Sequence, residues 1–303
     1  MFVDAYFFDS FLASPSAPAL WVDGVTYSYT ELADRALSVS RTLTAAFAER
    51  RAKDSRSDEK TSVPKACLLF AFRSTNAYAG LLGTLHAGYG YIPLSPRAPS
   101  TRNLTIIRSS GVRVILVDGT CKGEWDSLVE AAPEGLLDDL LIIHLDVEKT
   151  FVASADTTLR TEAAAYAGRD PGDLAYVLFT SGSTGTPKGV RISHASISGY
   201  IGNESGLRPH AEGDRYSQFF DLTTDPSVEE IFLCWANGAC LYTMPKNDPL
   251  SVSAFLKEHR LTHFSSVPST IAFLKQYRKL KPGMFPHLKL SIFGGEAFRG
   301  ELL

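Results

Sequence analysis

The chain lacks any apolar run of the roughly 18 to 20 residues that a membrane-spanning helix needs, so a helical membrane anchor is not expected. It also lacks a strong charge of either sign. With 30 basic and 33 acidic residues its formal charge is −3, too little to attract nucleic acid or an anionic membrane surface. Any anionic ligand must then be held by local groups. There are only four cysteines, Cys67, Cys121, Cys234 and Cys240, scattered without metal-ligand spacing in apolar or mixed stretches. That pattern fits small buried thiols rather than a disulfide framework or a zinc site. The seven histidines are spread along the chain and none is assigned a role; His194, after Ser193, is read as structural. The first twenty residues carry Asp4 and Asp9 and no basic leader, so a secretory signal is not expected and the protein is read as cytoplasmic. No repeat of solenoid length is found.

What is present is an alternation of helical patterns, such as 29–46 and 77–87, with short β-rich runs at 66–71 and 114–117. Further strands are predicted at 140–145, 175–180, 239–244 and 288–293. Such alternation gives an α/β fold of mostly parallel sheet covered by helices. Residues 49–65, dense in Arg, Lys, Asp, Glu and Ser, are too polar to cover a core and predict an exposed loop. Alanines, charges and Pro171-Gly172 mark a seam at 157–173. It divides the chain into a first subdomain, 1–165, whose N-terminal segment could pack on the second, and a second subdomain, 166–303.

The most informative run is Tyr176 to Val190. An apolar strand gives way to Thr180, Ser181, Gly182, Ser183, Thr184 and Gly185, followed by Thr186, Pro187, Lys188 and Gly189, and then to a new strand at 190–193. Glycines permit tight turns whose amides point outward and bind anions. Hydroxyls add donors, and Lys188 adds a positive charge suited to phosphate. A flexible linker would not sit at short fixed length between two apolar strands. A Walker-type loop is excluded, because Pro187 stands before Lys188 where that motif requires glycine.

Thr180 to Gly189 resembles the phosphate-binding signature of the adenylate-forming (AMP-binding) superfamily, which includes acyl-CoA synthetases, luciferases and the amino-acid adenylation domains of nonribosomal peptide synthetases. Further resemblances follow in the family's order: 25–32, 85–94, 225–232, 267–269 and 294–297. The resemblance implies two mostly parallel sheets covered by helices. It also implies a reaction in which a carboxylate attacks the α-phosphate of ATP, releasing pyrophosphate, with Mg²⁺ as companion ion. A carboxylate is already ionised at neutral pH, so no general base is required. By resemblance, Thr180, Ser181, Gly182, Ser183, Thr184, Gly185 and Lys188 hold the nucleotide phosphates. Thr180, Thr184 and Lys188 act on the reaction, Thr184 meets the metal, and Gly294, Gly295 and Glu296 lie beside the adenine.

For the acid, the stretch 218–232 is similar to the amino-acid-activating branch, which implies that Asp225 holds a substrate ammonium. Residue 224, usually aromatic in that branch, is threonine here. The corresponding pocket positions are Asp225, Pro226, Glu229, Ser266, Ile292 and Gly294. Glu229 resembles the acid of lysine-type pockets and would suit a cationic or strongly polar side chain; alternatively it is a solvated helix residue, and Asp225 only a helix-start carboxylate. Asp221 could hold a more distant amino group.

The family's later motifs, including a Mg²⁺-holding acid and the lysine of a small mobile C-terminal domain, are not expected within 303 residues. The parent is accordingly expected to activate an amino acid for a carrier-protein thiol, with the 303-residue chain itself weak or inactive. The alternatives are a non-catalytic remnant that at most binds nucleotide, and an acyl-CoA ligase for an acid without an amino group.

Overall fold

Strands buried on both faces need covering on both sides, and that requirement organises the molecule. The computed structural model describes residues 1–54, 64–145, 156–166, 168–181, 187–211, 213–244, 249–297 and 300. In chain order the first half forms α1 (Ala5–Ala13), β1 (Pro18–Val22), β2 (Val25–Ser28), α2 (Tyr29–Asp54), β3 (Ala66–Phe70), α3 (Thr75–His86) and β4 (Gly90–Leu94). Then come α4 (Ser100–Ser110), β5 (Val114–Asp118), α5 (Lys122–Glu130), β6 (Leu141–Leu145) and α6 (Asp156–Ala163). The remainder is β7 (Leu174–Ser181), β8 (Pro187–Ser193), α7 (His194–Leu207), β9 (Arg215–Gln218), α8 (Asp225–Ala236) and β10 (Cys240–Thr243). It closes with α9 (Pro249–Glu258), β11 (His263–Ser266), α10 (Pro268–Gln276) and β12 (Leu290–Phe293).

One sheet has the order β6-β5-β3-β4-β7-β8 and the other β12-β11-β9-β10-β1-β2. Within each, among the described residues, all pairings are parallel except one hairpin at an edge, β7 with β8 and β1 with β2. The α/β expectation of two mostly parallel sheets therefore holds. Every residue of β3, β4 and β5 is buried, which is why those strands read as unbroken apolar runs.

The expected boundary at 165/166 falls between α6 and β7, but strands on its two sides share a sheet. β7 pairs with β4 and carries β8 with it, whereas β1, far upstream, pairs with β10 of the other sheet. The loop expected at 49–65 is also shorter: α2 continues through Asp54, and 55–63 lie outside the described residues. Lys and Arg are good helix formers, so a polar run can extend a helix already anchored by its buried N-terminal portion.

A single core cluster joins both sheets, with Phe7, Tyr29, Tyr78 and Trp235 at its centre. Helix α1 is its plug. Phe7 packs edge-on to Trp235 at 4.9 Å, and Ser10 donates to the Trp235 carbonyl at 2.6 Å. All four cysteines are buried and unpaired, as expected; burial pushes the Cys67 thiol up to about 12.

Candidate functional site

In parallel sheets, ligands bind beyond the carboxyl ends of the strands, where helix N-termini and free amides converge. The sequence-derived residues fall there. Thr180 and Ser181 end β7, Asp225 opens the helix after β9, Ser266 ends β11, and Gly294 follows β12.

At β7 the hairpin register sets Thr180 opposite Lys188 and Ser181 opposite Pro187. Thr180 and Lys188 are exposed, and the Thr180 hydroxyl lies 3.5 Å from the Lys188 carbonyl. Arg102 holds the strand end by donating to the Phe179 carbonyl at 2.9 Å. Gly182, Ser183, Thr184 and Gly185, the middle of the predicted phosphate loop, lie outside the described residues. The metal role expected of Thr184 therefore has no geometry here.

The structure brings Asp225, Pro226 and Glu229 together on one face of α8, at a cavity of about 250 Å³ completed by Tyr176, Tyr200 and apolar residues of β8 and α7. Asp225 is the first residue of α8, with Pro226 behind it, a sequence suited to a helix start. The Tyr176 hydroxyl donates to Asp225 Oδ1 at 3.2 Å, which ties the end of one sheet to a helix of the other. Burial, and then Asp225 itself, push the Tyr176 phenol well above its usual range, so it remains a donor. Glu229 is not solitary. It accepts from Arg208 Nη1 at 2.7 Å and from the Tyr200 hydroxyl at 2.8 Å. Burial works against the Arg208 charge, but Glu229 outweighs it and raises the guanidinium further.

Ser266, Ile292 and Gly294 form a second group that does not line this cavity. Ile292 is paired opposite Ser265, and the Gly294 amide donates to the Ser266 carbonyl at 3.2 Å. Gly295 adopts φ +82°, a conformation open to glycine. Glu296 reaches back to cap α10, accepting from the Ser269 amide and hydroxyl, each at 3.0 Å. Asp221 lines a different cavity and is held by Thr223 Oγ1 at 2.7 Å and Ser95 Oγ at 3.2 Å.

Several supporting groups carry no clear mark in the sequence. Arg73, just after β3, donates to the carbonyls of Gln218 (3.0 Å), Phe219 (2.6 Å) and Met244 (2.9 Å), fastening the segment that leads to Asp225. Glu230 accepts from the amides of Phe219 and Phe220 at 3.0 and 3.1 Å. Tyr176 could have been noticed as the one phenol in a largely apolar strand; Tyr200 and Arg208 had no such signal. His194 is structural, as expected: it is buried, and its Nδ1 accepts from the Val3 amide at 3.3 Å.

Comparison with known proteins adds the following. Residues 7–303 match the family described as AMP-binding enzyme. Surfactin synthase subunit 2 of Bacillus subtilis (strain 168) is 29% identical over 287 residues, 94% of this chain and 7% of that protein. Nonribosomal peptide synthetase SIDC of Beauveria bassiana (strain ARSEF 2860) is 32% identical over 229 residues, 74% of this chain and 4% of that protein. Among solved structures, the Vibrio cholerae adenylation domain AlmE, in complex with glycyl-adenosine-5'-phosphate, is similar with TM-score 0.82 and 28% identity. IdnL7 is similar with TM-score 0.80 and 25% identity. Each alignment covers 99% of this chain and 56% or 57% of the solved one, so the chain spans little more than half of those structures and a small part of the curated relatives.

Proposed function

Because the chain belongs to the AMP-binding enzyme family, we propose that it serves to activate an amino acid with ATP, forming aminoacyl-adenylate and pyrophosphate for transfer to a carrier-protein thiol. Asp225 carries this reading: a carboxylate at the mouth of a cavity, oriented by Tyr176, at the end of the sheet whose neighbouring hairpin bears Thr180 and Lys188. An ammonium is a natural partner for that carboxylate, which is exposed and already directed by the Tyr176 hydroxyl, whereas a plain fatty acid offers it no cation. The likeness to AlmE, a protein solved with glycyl-adenosine-5'-phosphate, supports the same substrate class, and the resemblance to nonribosomal peptide synthetases supports the thiol acceptor.

In this reading a carboxylate oxygen of the amino acid forms a bond to the α-phosphorus while the bond to the pyrophosphate oxygen breaks. No proton need be removed, so the protein's contribution is alignment and charge stabilisation. Lys188 meets phosphate with its ammonium, Thr180, Ser181, Gly182, Ser183, Thr184 and Gly185 supply donors, and Gly294, Gly295 and Glu296 border the base. Mg²⁺, held in part by Thr184, would screen the phosphates when bound. By resemblance Ser266, Ile292 and Gly294 belong to the acid's pocket, although they do not line the cavity at Asp225, and a cytoplasmic location supplies the ATP.

Amino-acid-dependent exchange of pyrophosphate into ATP by the full-length protein tests this. Asp225→Ala is expected to raise the amino acid's KM and lower kcat/KM while sparing ATP binding. Lys188→Ala is expected to weaken nucleotide binding by about 1.5 to 3 kcal/mol, as for a lost charged hydrogen bond. Preference for a fatty acid, or unchanged nucleotide affinity in the lysine variant, would refute the corresponding assignment.

A further inference from the structure

At the amino ends of β9, β11 and β12, across the sheet from Ser266 and Gly294, lies a second cavity of about 440 Å³, whose lining includes Arg215, Arg260, His287 and Lys289. Backbone bonds set the strand starts side by side. The Thr262 amide donates to the Arg215 carbonyl at 2.9 Å, and the Lys289 amide to the Thr262 carbonyl at 2.8 Å. Each cation is fixed, but only one of them by a carboxylate. Arg215 Nη1 donates to the His259 carbonyl at 2.8 Å, and its guanidinium lies 5.8 Å from the centre of the Tyr242 ring. Arg260 Nε donates to His287 Nε2 at 3.1 Å, so that ring nitrogen carries no proton and His287 adds no charge. Lys289 Nζ bonds Asp214 Oδ1 at 2.6 Å; Asp214 is 2% exposed and does not line the cavity. Among the described residues no acid lines it, and neither arginine forms an ion pair. Three cations against one carboxylate leave an excess of two positive charges on one concave surface. Holding like charges together costs free energy that a bound anion would recover.

Arg260 carries a second cost. It follows α9 with φ +52°, the left-handed region that favours glycine. Its amide bonds the Lys257 carbonyl and the Leu261 amide bonds the Leu256 carbonyl, the two bonds of a helix C-cap at which glycine is the usual residue. The arginine brings to the cavity two terminal nitrogens with no partner among the described residues. We propose that this cavity binds the phosphate group of a small molecule. Guanidinium forks match phosphate oxygens in pairs, and a phosphate monoester carries about −1.5 to −2 charges at pH 7, close to the local excess. The Lys289 ammonium, with one proton spent on Asp214, has two more to donate. The volume exceeds that of a lone phosphate and leaves room for the group it is attached to. This site is separate from the reaction: the length of β11, about 10 Å, lies between it and Ser266. Its ligand would brace the starts of three strands whose far ends lead to Asp225, Ser266 and Gly294.

The experiment is titration calorimetry of the full-length protein with inorganic phosphate and with glycerol 3-phosphate, at an ionic strength held constant with sodium chloride. Phosphate is expected to bind. Tighter binding of glycerol 3-phosphate would mark a phosphate monoester as the occupant, and equal binding the free ion. Arg260→Gly suits the local backbone, so it should raise Tm in the absence of phosphate. It should nevertheless weaken phosphate binding roughly 10- to 100-fold, the loss of one charged hydrogen bond. Arg215→Ala should weaken it by a similar factor. Lys188→Ala removes any contribution of the loop at 180–189 and should leave this binding in place. An arginine that only capped the helix would change Tm without changing the affinity for phosphate. No binding above the chloride background, undiminished binding in Arg260→Gly, or binding abolished by Lys188→Ala would each overturn the inference. None of these results bears on amino-acid activation, which pyrophosphate exchange tests separately.

Discussion

At the scale of single residues, His194 shows how burial converts a side chain into a pH-dependent element of stability. Its ring accepts from the Val3 amide and sits 4.0 Å from Asp4 Oδ1 and 3.5 Å from Arg169 Nη2. Burial pushes its pKa down to about 4; Arg169 and the N-terminal amine push the same way, and Asp4 and Asp173 oppose them. An unfolded histidine titrates near 6.5. The stability that comes from keeping it neutral is therefore complete above about pH 6.5 and drains away as pH falls toward 4, by up to about 3 kcal/mol. Asp4 acts in a lower window. Although burial opposes it, His86 and Arg169 hold its carboxyl below the usual value, so its contribution is lost only at more acidic pH. His194→Gln, which keeps an acceptor for Val3, should flatten the decline in urea midpoint between pH 7 and 4.5. Some slope should survive, because burial also lowers His210, His259 and His263. An unaltered decline in the variant would contradict this account.

At the scale of elements, the packing of α2 on α3 depends on a missing side chain. A Cβ at Gly83 would stand 2.5 Å from the Ala36 carbonyl oxygen and 2.7 Å from Val39 Cβ, and backbone cannot move aside as a flexible side chain can. Gly83→Ala gains about 1 kcal/mol in helix propensity, but forced separation of two helices costs about 1 to 3 kcal/mol or more. A net loss of stability is expected, measured as a lower Tm. Gly199, inside α7, is the control, since a Cβ there would meet nothing within 4 Å. Gly199→Ala should stabilise by about 0.5 to 1 kcal/mol. Equal effects of the two substitutions would show that helix propensity, not the close approach, decides.

At the scale of the molecule, the two sheets are not independent units. They share a core cluster, and α3 of one reaches the other where the Tyr78 hydroxyl meets Gln218 Oε1 at 3.1 Å and Thr243 Oγ1 at 2.9 Å. Arg73 adds three bonds across the same gap. Unfolding in urea is expected to be a single transition, coincident by tryptophan fluorescence and far-UV circular dichroism, since Trp125 sits over one sheet and Trp21 against the other. Arg73→Met should lower stability by about 2 to 4 kcal/mol by leaving buried carbonyls unsatisfied. Two separated transitions in the unmutated protein would overturn this view of a common core.

The sequence by itself determined the fold class and marked out the glycine and hydroxyl run at 180–189, because both are written in local order. Parallel strands buried on both faces appear as unbroken apolar segments, and a glycine and hydroxyl loop between two strands is recognisable wherever it occurs. Asp225 and Pro226 were legible only through the resemblance of 218–232 to the amino-acid-activating branch, and the structure places them at a helix start. Only the tertiary structure decided which side chains meet. Tyr176 and Asp225 are 49 positions apart, Tyr200 and Glu229 are 29, and Arg73 and Met244 are 171. It also decided that β1 and β2 join the sheet of β10, and that β7 and β8 join that of β4. Local period fixes which face of a helix is apolar. How far that helix turns and slides against its neighbours is set by packing over the whole core, and the partner of Glu229 depends on that rotation.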